Sequence, residues 1–251
     1  MTRCAIVTGS ASGIGEAIAV ALSREGHRVI VADIDKERGL SVAGKIDGHF
    51  VEADLSDRES CRRLVDAAQR EYGKIDILVN NAGFQHVSPI ETFPEAEWDR
   101  MVGVMLTAPF LLTKYVWPHM KRQKWGRIVN IASIHAMVAS PNKAGYISAK
   151  HGLIGLTRTA ALEGGADGIT VNALCPSYVR TPLVETQIAD QAKAHQIPTE
   201  DVVEQIMLRS AAVKKLIEPE EVANLVIYLC AESSASITGA CWTIDCGWTA
   251  Q

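Results

Sequence analysis

The sequence predicts an α/β fold, a doubly wound seven-stranded parallel sheet with helices on both faces. Three observations carry that expectation. Short runs rich in β-branched residues alternate with segments of helical period along all 251 residues, the pattern of repeated βαβ units. A glycine-rich turn, Thr8-Gly9-Ser10-Ala11-Ser12-Gly13-Ile14-Gly15, joins the first such run to the first helical segment. No internal repeat, low-complexity tract or Pro/Gly/Ser-rich linker divides the chain, so residues 1–251 are expected to form a single domain.

Taken in order, the strands are expected at 4–8, 28–33, 49–52, 75–80, 127–132, 170–174 and 242–245, each a short apolar run of the kind a doubly covered strand requires. Helical periodicity places helices near 14–25, 35–45, 57–72, 95–123, 146–163 and 219–231. The segment 181–215 breaks the alternation. It is polar, helical in composition and inserted between the sixth and seventh strands, which suits a mobile lid over a pocket or a surface helix pair.

Composition excludes several classes of function. With 47% hydrophobic and 22% charged residues the chain can bury a full core. A net charge of −4 offers no basic surface for nucleic acid or anionic lipid. The most apolar stretch, around 101–112, falls short of the roughly 20 residues a membrane span needs. Met1-Thr2-Arg3-Cys4 leads directly into a strand rather than resembling a signal peptide, so a soluble, cytoplasmic protein is expected. The six cysteines are scattered without Cys-x-x-Cys spacing, which argues against structural zinc and disulfides, and no metal site is expected.

The chemistry starts from Tyr146 and Lys150, one helical turn apart, and from Ser133, at the end of the apolar run Ile128-Val129-Asn130-Ile131-Ala132. Side chains at i and i+4 share a helix face. A free phenol has a pKa near 10, so only about 0.1% is ionised at neutral pH, and a neighbouring ammonium is expected to lower the Tyr146 pKa by favouring the phenolate. Ser133 is then placed to hold a reacting oxygen. The Tyr-x-x-x-Lys string alone equally describes two residues on an exposed helix face.

The glycine loop lies where a strand ends and a helix begins, the context in which backbone N–H groups and a helix N-terminus receive a pyrophosphate. The second strand ends at Asp33, eighteen residues after Gly15, where a carboxylate accepts from ribose hydroxyls and repels a 2′-phosphate. NAD is therefore favoured over NADP. Arg28, Lys36 and Arg38 keep basic compensation for NADP open.

Together these residues resemble the short-chain dehydrogenase/reductase family over nearly the whole chain. The resemblance rests on Thr8-Gly9-x-x-x-Gly13-Ile14-Gly15, Asp54-Leu55, Asn80-Asn81-Ala82-Gly83, Ser133, Tyr146-x-x-x-Lys150, Asn172 and Pro176-Ser177-Tyr178-Val179-Arg180-Thr181-Pro182. It implies a Rossmann-type domain with Ser133, Tyr146 and Lys150 as the catalytic residues. It also implies cofactor contacts from Gly9, Ser12, Gly13, Ile14, Gly15, Asp33, Asp54, Leu55, Asn81, Gly83, Tyr146, Lys150, Pro176, Val179 and Thr181. A homotetramer paired through the helices at 95–123 and 146–163 is implied as well. Two residues depart from the family pattern. Met105 stands where the family has a catalytic asparagine, and Ser177 replaces a glycine, which is acceptable only at negative φ.

Less generic stretches resemble the 3-hydroxybutyrate dehydrogenase branch of the family. They are Gly83-Phe84-Gln85-His86-Val87, Ser133-Ile134-His135, Lys143 before Tyr146, Thr181-Pro182-Leu183-Val184 with Gln187, and the ending Gly247-Trp248-Thr249-Ala250-Gln251. That resemblance implies a small-molecule substrate, a short 3-hydroxy or 3-oxo acid, held by Gln85, His135, Lys143 and Gln187 beside Ser133, Tyr146 and Tyr178. Tyr178 replaces the branch's usual tryptophan. Charge-assisted hydrogen bonds are what a carboxylate needs on leaving water. Other small hydroxy acids, sugars, 3-oxoacyl thioesters, and a weakly catalytic NAD-binding relative remain alternatives. His86 and His151 read as structural, and Trp98, Trp117, Trp125 and Trp242 as core or interface residues.

Overall fold

The computed structural model describes residues 2–250. Seven strands, β1 (Cys4–Thr8), β2 (Arg28–Asp33), β3 (His49–Glu52), β4 (Ile77–Asn80), β5 (Gly126–Ile131), β6 (Ile169–Pro176) and β7 (Cys241–Ile244), form one sheet in the order 3-2-1-4-5-6-7. Every pairing is parallel. The crossovers are made by α1 (Gly13–Arg24), α2 (Lys36–Lys45), α3 (Arg58–Tyr72), α4 (Glu95–Val102), α5 (Ala108–Gln123), α6 (Ala144–Gly164), α7 (Pro182–His195), α8 (Thr199–Val202) and α9 (Pro219–Cys230).

The strand side chains alternate between two cores, as the period of two requires. Ala5, Val7, Val29 and Val31 pack with Ile18 and Leu22 of α1, Val42 of α2 and Val222 and Val226 of α9. Ile6, Ile30, Leu78 and Ile128 face the other way, against Leu64 and Val65 of α3, Leu112 and Val116 of α5 and Ala160 and Ala161 of α6. Each fully buried Val, Leu or Ile side chain of this kind contributes about 1.5–3 kcal/mol relative to exposure. Helix starts are fixed locally: Asp57 accepts from the backbone N–H groups of Glu59 and Ser60, and Glu218 and Glu221 form a reciprocal box at the start of α9.

The expected strands and helices all form, with one change of shape. The helix expected over 95–123 is interrupted by a wide π turn at Gly103–Thr107, between α4 and α5. Such a turn pushes one residue out of the regular ladder and is common near functional sites.

The sheet order sets the site. β1 lies between β2 and β4, so the chain turns back across the sheet there, and a crevice opens at the carboxyl ends of the strands. The glycine loop follows β1, Asn81 follows β4, Ser133 follows β5 and Tyr178 follows β6.

Candidate active site

The β1–α1 loop makes two turns in the left-handed region, at Gly9 (φ 63°) and Gly13 (φ 58°), where a side chain is strained. A Cβ on Gly9 would lie 2.7 Å from the Cα of Ala82, so the loop and the end of β4 are in backbone contact. Asn81 fastens that contact, its Nδ2 donating to the carbonyls of Thr8 (2.9 Å) and Gly9 (3.0 Å). Ser12 caps α1 in an extended conformation without spending its hydroxyl on the helix, and Ser12, Gly13 and Ile14 line the cleft. A glycine cradle beside a helix N-terminus with a free hydroxyl fits the pyrophosphate of a dinucleotide. Gly15, expected among the cofactor contacts, does not line the cleft. It packs beneath the loop, where a Cβ would come within 2.1 Å of the Gly9 carbonyl oxygen.

Asp33 lines the cleft at the end of β2. Its carboxylate accepts from the N–H groups of Ala11 (2.9 Å) and Asp35 (3.0 Å), tying strand to loop. Of the basic residues nearby, Arg38 pairs with Asp35 and Arg28 lies over Tyr72 at the other end of β2. Asp54 and Leu55 form the adjoining wall, with Asp54 accepting from the Ser56 backbone and hydroxyl.

At the middle of the cleft, Ser133 is buried, and its Oγ accepts from the His135 N–H (3.1 Å). Lys150 reaches from α6 under the sheet edge and donates to the Ile131 carbonyl at 2.7 Å. Its ammonium lies 5.6 Å from the centre of the Tyr146 ring. Met105, from the π turn, is buried close by; a Cβ on Gly83 would meet its Sδ at 3.2 Å and Lys150 Nζ at 3.8 Å. Ser177 is not among the residues with positive φ, so replacing glycine there carries no strain.

The electrostatics differ from the expectation of a depressed phenol pKa. Burial holds the Tyr146 hydroxyl above the ordinary phenol value, and the hydrogen bond with Ser133 only partly opposes it. The same dry surroundings lower Lys150 to about 8. Desolvation acts against both charges, and the ammonium is directed at a backbone carbonyl rather than at the phenol oxygen.

Side chains from four further segments line the same cleft, Gln85, His135, Lys143 and Tyr178, with Gln187 from α7, and the His135 and Tyr146 rings are 6.3 Å apart. Gln187 Nε2 donates to Gln85 Oε1 at 2.5 Å, closing α7 over the cleft. His135 Nε2 lies 3.0 Å from the Ser140 hydroxyl, while its buried Nδ1 has no partner. Burial, then the nearby Lys143, hold His135 down at about 4, so it is neutral across the working range. Burial likewise lowers Lys143. Trp248 lies 6.5 Å from His135, ring to ring.

Gly83, Pro176, Val179 and Thr181 complete the wall, so the sequence-derived site residues other than Gly15 meet in one continuous cleft. Phe84, Arg100 and Val104 also line it and were not foreseen. Arg100 and Val104 stand four apart on the helical run whose apolar pattern suggests subunit pairing, and nothing in that spacing distinguishes a cleft-facing pair. Among the described residues no cluster of three or more His, Cys, Asp or Glu side chains is placed to hold a metal ion. None of the described helices is long and apolar enough to cross a membrane.

A parallel 3-2-1-4-5-6-7 sheet with a glycine cradle at its reversal point and Ser, Tyr and Lys converging beside it defines a dinucleotide-binding oxidoreductase. The family model described as enoyl-(acyl carrier protein) reductase matches residues 9–249, and the chain belongs to the short-chain dehydrogenase/reductase family. It is 45% identical over the full length of both chains to a D-beta-hydroxybutyrate dehydrogenase of Rhizobium meliloti. It is 40% identical to another of that name from Cupriavidus necator, covering 99% of this chain and 98% of the relative. An uncharacterized oxidoreductase, YxjF of Bacillus subtilis, is 44% identical over 99% of each chain.

Proposed function

We propose that the protein is an NAD-dependent dehydrogenase that interconverts 3-hydroxybutyrate and acetoacetate. The observation that carries this reading is the set of donors in one cleft, the Lys143 amine and the hydrogen-bonded amides of Gln85 and Gln187, with a neutral histidine 6.3 Å from the Tyr146 ring. A small carboxylate leaving water needs such donors. The 45% identical relative bears the same activity in its name.

NAD supplies the hydride acceptor and, reduced, the hydride donor. The Gly9–Gly13 cradle with Ser12 holds its pyrophosphate, Asp33 its adenosine ribose, Asp54 and Leu55 its adenine, and Pro176, Val179 and Thr181 the nicotinamide end. Arg38 pairs with Asp35 and Arg28 lies at the far end of β2, while Lys36 is exposed three residues after Asp33, so the preference for NAD rests on the Asp33 carboxylate, which repels a 2′-phosphate. A higher kcat/KM with NADPH than with NADH would reject that assignment.

Lys143, Gln85 and Gln187 bind the carboxylate, with His135 packed beside it, and fix the approach of the reacting carbon. Ser133 holds the reacting oxygen. In the reductive direction Tyr146, kept protonated by its burial, delivers the proton to that oxygen. In the oxidative direction the phenolate form, its charge offset by the Lys150 ammonium, receives that proton. Lys150 binds the nicotinamide ribose and offsets charge on the phenol as the proton leaves. The assembly is taken as a homotetramer, because α4, α5 and α6 leave Trp98, Phe110 and Leu162 exposed; sedimentation at micromolar concentration checks it. The direct test of the activity is NADH consumption with acetoacetate beside an acetoacetyl thioester and simple ketones. A preference for acetoacetate is expected, and turnover confined to the thioester would reject the reading.

A further inference from the structure

A second cavity of about 420 Å³ opens to solvent next to the catalytic cleft. Its walls include Ser88, Pro89, Ile90, Ser140 and Pro141, and it shares a single wall residue with the cleft, Lys143. The two spaces approach each other along three routes. Gln85 faces the cleft and Ser88, three residues on, faces the cavity. His135 faces the cleft and is hydrogen-bonded through Nε2 to Ser140, which faces the cavity. Lys143 faces both. The N–H of Ser88 donates to the carbonyl of Asn142 (2.9 Å), which joins the two loops that line the cavity.

We propose that Lys143 is a gate as well as an anchor: its side chain is the partition between the cleft and the second cavity, and it excludes substrates extended beyond the carboxyl carbon. The inference rests on the proposed carboxylate binding at Gln85, Lys143 and Gln187, since that binding puts the carboxyl carbon at the partition. A free acid ends there and meets the ammonium. A 3-oxoacyl ester or thioester continues past that carbon and meets the lysine stem instead. Lysine suits such a partition because its four-carbon stem fills space while its head supplies charge. The space behind it is lined by prolines and Ile90, with one carboxylate, Glu91, in the wall. That lining suits a neutral alkoxy or alkylthio extension and disfavours a second anion.

Two substitutions separate volume from charge. Lys143→Ala removes both, and Lys143→Met keeps most of the stem. Each is assayed with NADH against acetoacetate, ethyl acetoacetate and acetoacetyl-N-acetylcysteamine, with NADH binding by fluorescence as the control for an intact fold. Both variants should lose about 30-fold or more in kcat/KM with acetoacetate, as one partner of a desolvated charge pair is gone. Only Lys143→Ala should gain on the ester and thioester, by about tenfold over the unsubstituted enzyme, the scale that opening or closing a pocket commands. Equal behaviour of the two variants on the thioester, no gain in Lys143→Ala, or good thioester turnover by the unsubstituted enzyme would overturn the gate. Failure of the unsubstituted enzyme to reduce acetoacetate would instead reject the proposed function, and the contrast between the variants on the extended substrates would still decide the gate.

Discussion

The two ends of the cleft are built from different materials. At the end proposed for the dinucleotide, the wall is largely backbone: the loop from Gly9 to Gly13 is pressed against Ala82, and Asn81 and Asp33 use their side chains to hold main-chain atoms of that loop. At the far end, the wall is side chains from separate loops and from α7, and they hold one another, as Gln187 holds Gln85 and Ser140 holds His135. Recognition of a ligand part shared by many enzymes can be invested in main-chain shape, which tolerates few substitutions. Recognition of one substrate among many is carried by side chains, which can be exchanged without disturbing the sheet.

If that division holds, substitutions at the two ends will fail in different ways. The largest effect belongs between them. Tyr146→Phe should lower kcat about a thousandfold while leaving NADH binding within about twofold, by fluorescence titration; retained activity would remove Tyr146 from the mechanism. Gly9→Ala should cost about 3 kcal/mol or more of stability, because the new Cβ meets Ala82 and the left-handed turn is strained. A denaturant midpoint unchanged from the parent's would show that the loop is not the rigid part it is taken to be.

The third test uses His135, which burial and then the nearby Lys143 hold down at about 4, below the ordinary imidazole value of about 6.5. Between those values the unfolded chain binds a proton that the folded protein refuses, so stability falls as pH drops from 6.5 toward 4. This residue's share is about 2–3 kcal/mol at the lower limit, and His135→Asn should flatten the stability profile in that window. A variant profile as steep as the parent's would assign the acid sensitivity elsewhere. The smallest effect is expected for Gln187→Ala: loss of about 1 kcal/mol of binding, seen as a roughly fivefold rise in the acetoacetate KM, with NADH binding unchanged. A matching loss of NADH affinity would show that the two ends are not separable.

The same division governs what could be read from the sequence. The sheet was legible because doubly covered parallel strands are continuous apolar runs, such as Ala5-Ile6-Val7 and Ile77-Leu78-Val79, separated by helical periods. The cradle was legible because only glycine fits the left-handed turns at positions 9 and 13. The proposed substrate end was readable only through resemblance, since Gln85, Lys143 and Gln187 are ordinary surface residue types until the fold places them in one cleft. Arg100 and Val104 were hidden because a helix face turned toward a cleft has the same spacing as one turned toward a neighbour. The π turn at Gly103–Thr107 left no mark, because one widened turn barely alters the apolar period. The expected electrostatic lowering of Tyr146 failed for a related reason: helical spacing gives the distance between two side chains but not the dryness of the place they share.

The central seam of the sheet has a further consequence. β1 and β4 join the half made of β1–β3 to the half made of β4–β7 through the pairs Ala5↔Ile77, Ile6↔Leu78 and Val7↔Val79. The proposed dinucleotide, held by the Gly9–Gly13 loop of one half and bordered by Asn81 of the other, would act as a stitch across that joint. Bound at a hundred times its dissociation constant it would add about 2.7 kcal/mol against unfolding, which makes the protein's tolerance of heat a reading of how much nucleotide surrounds it.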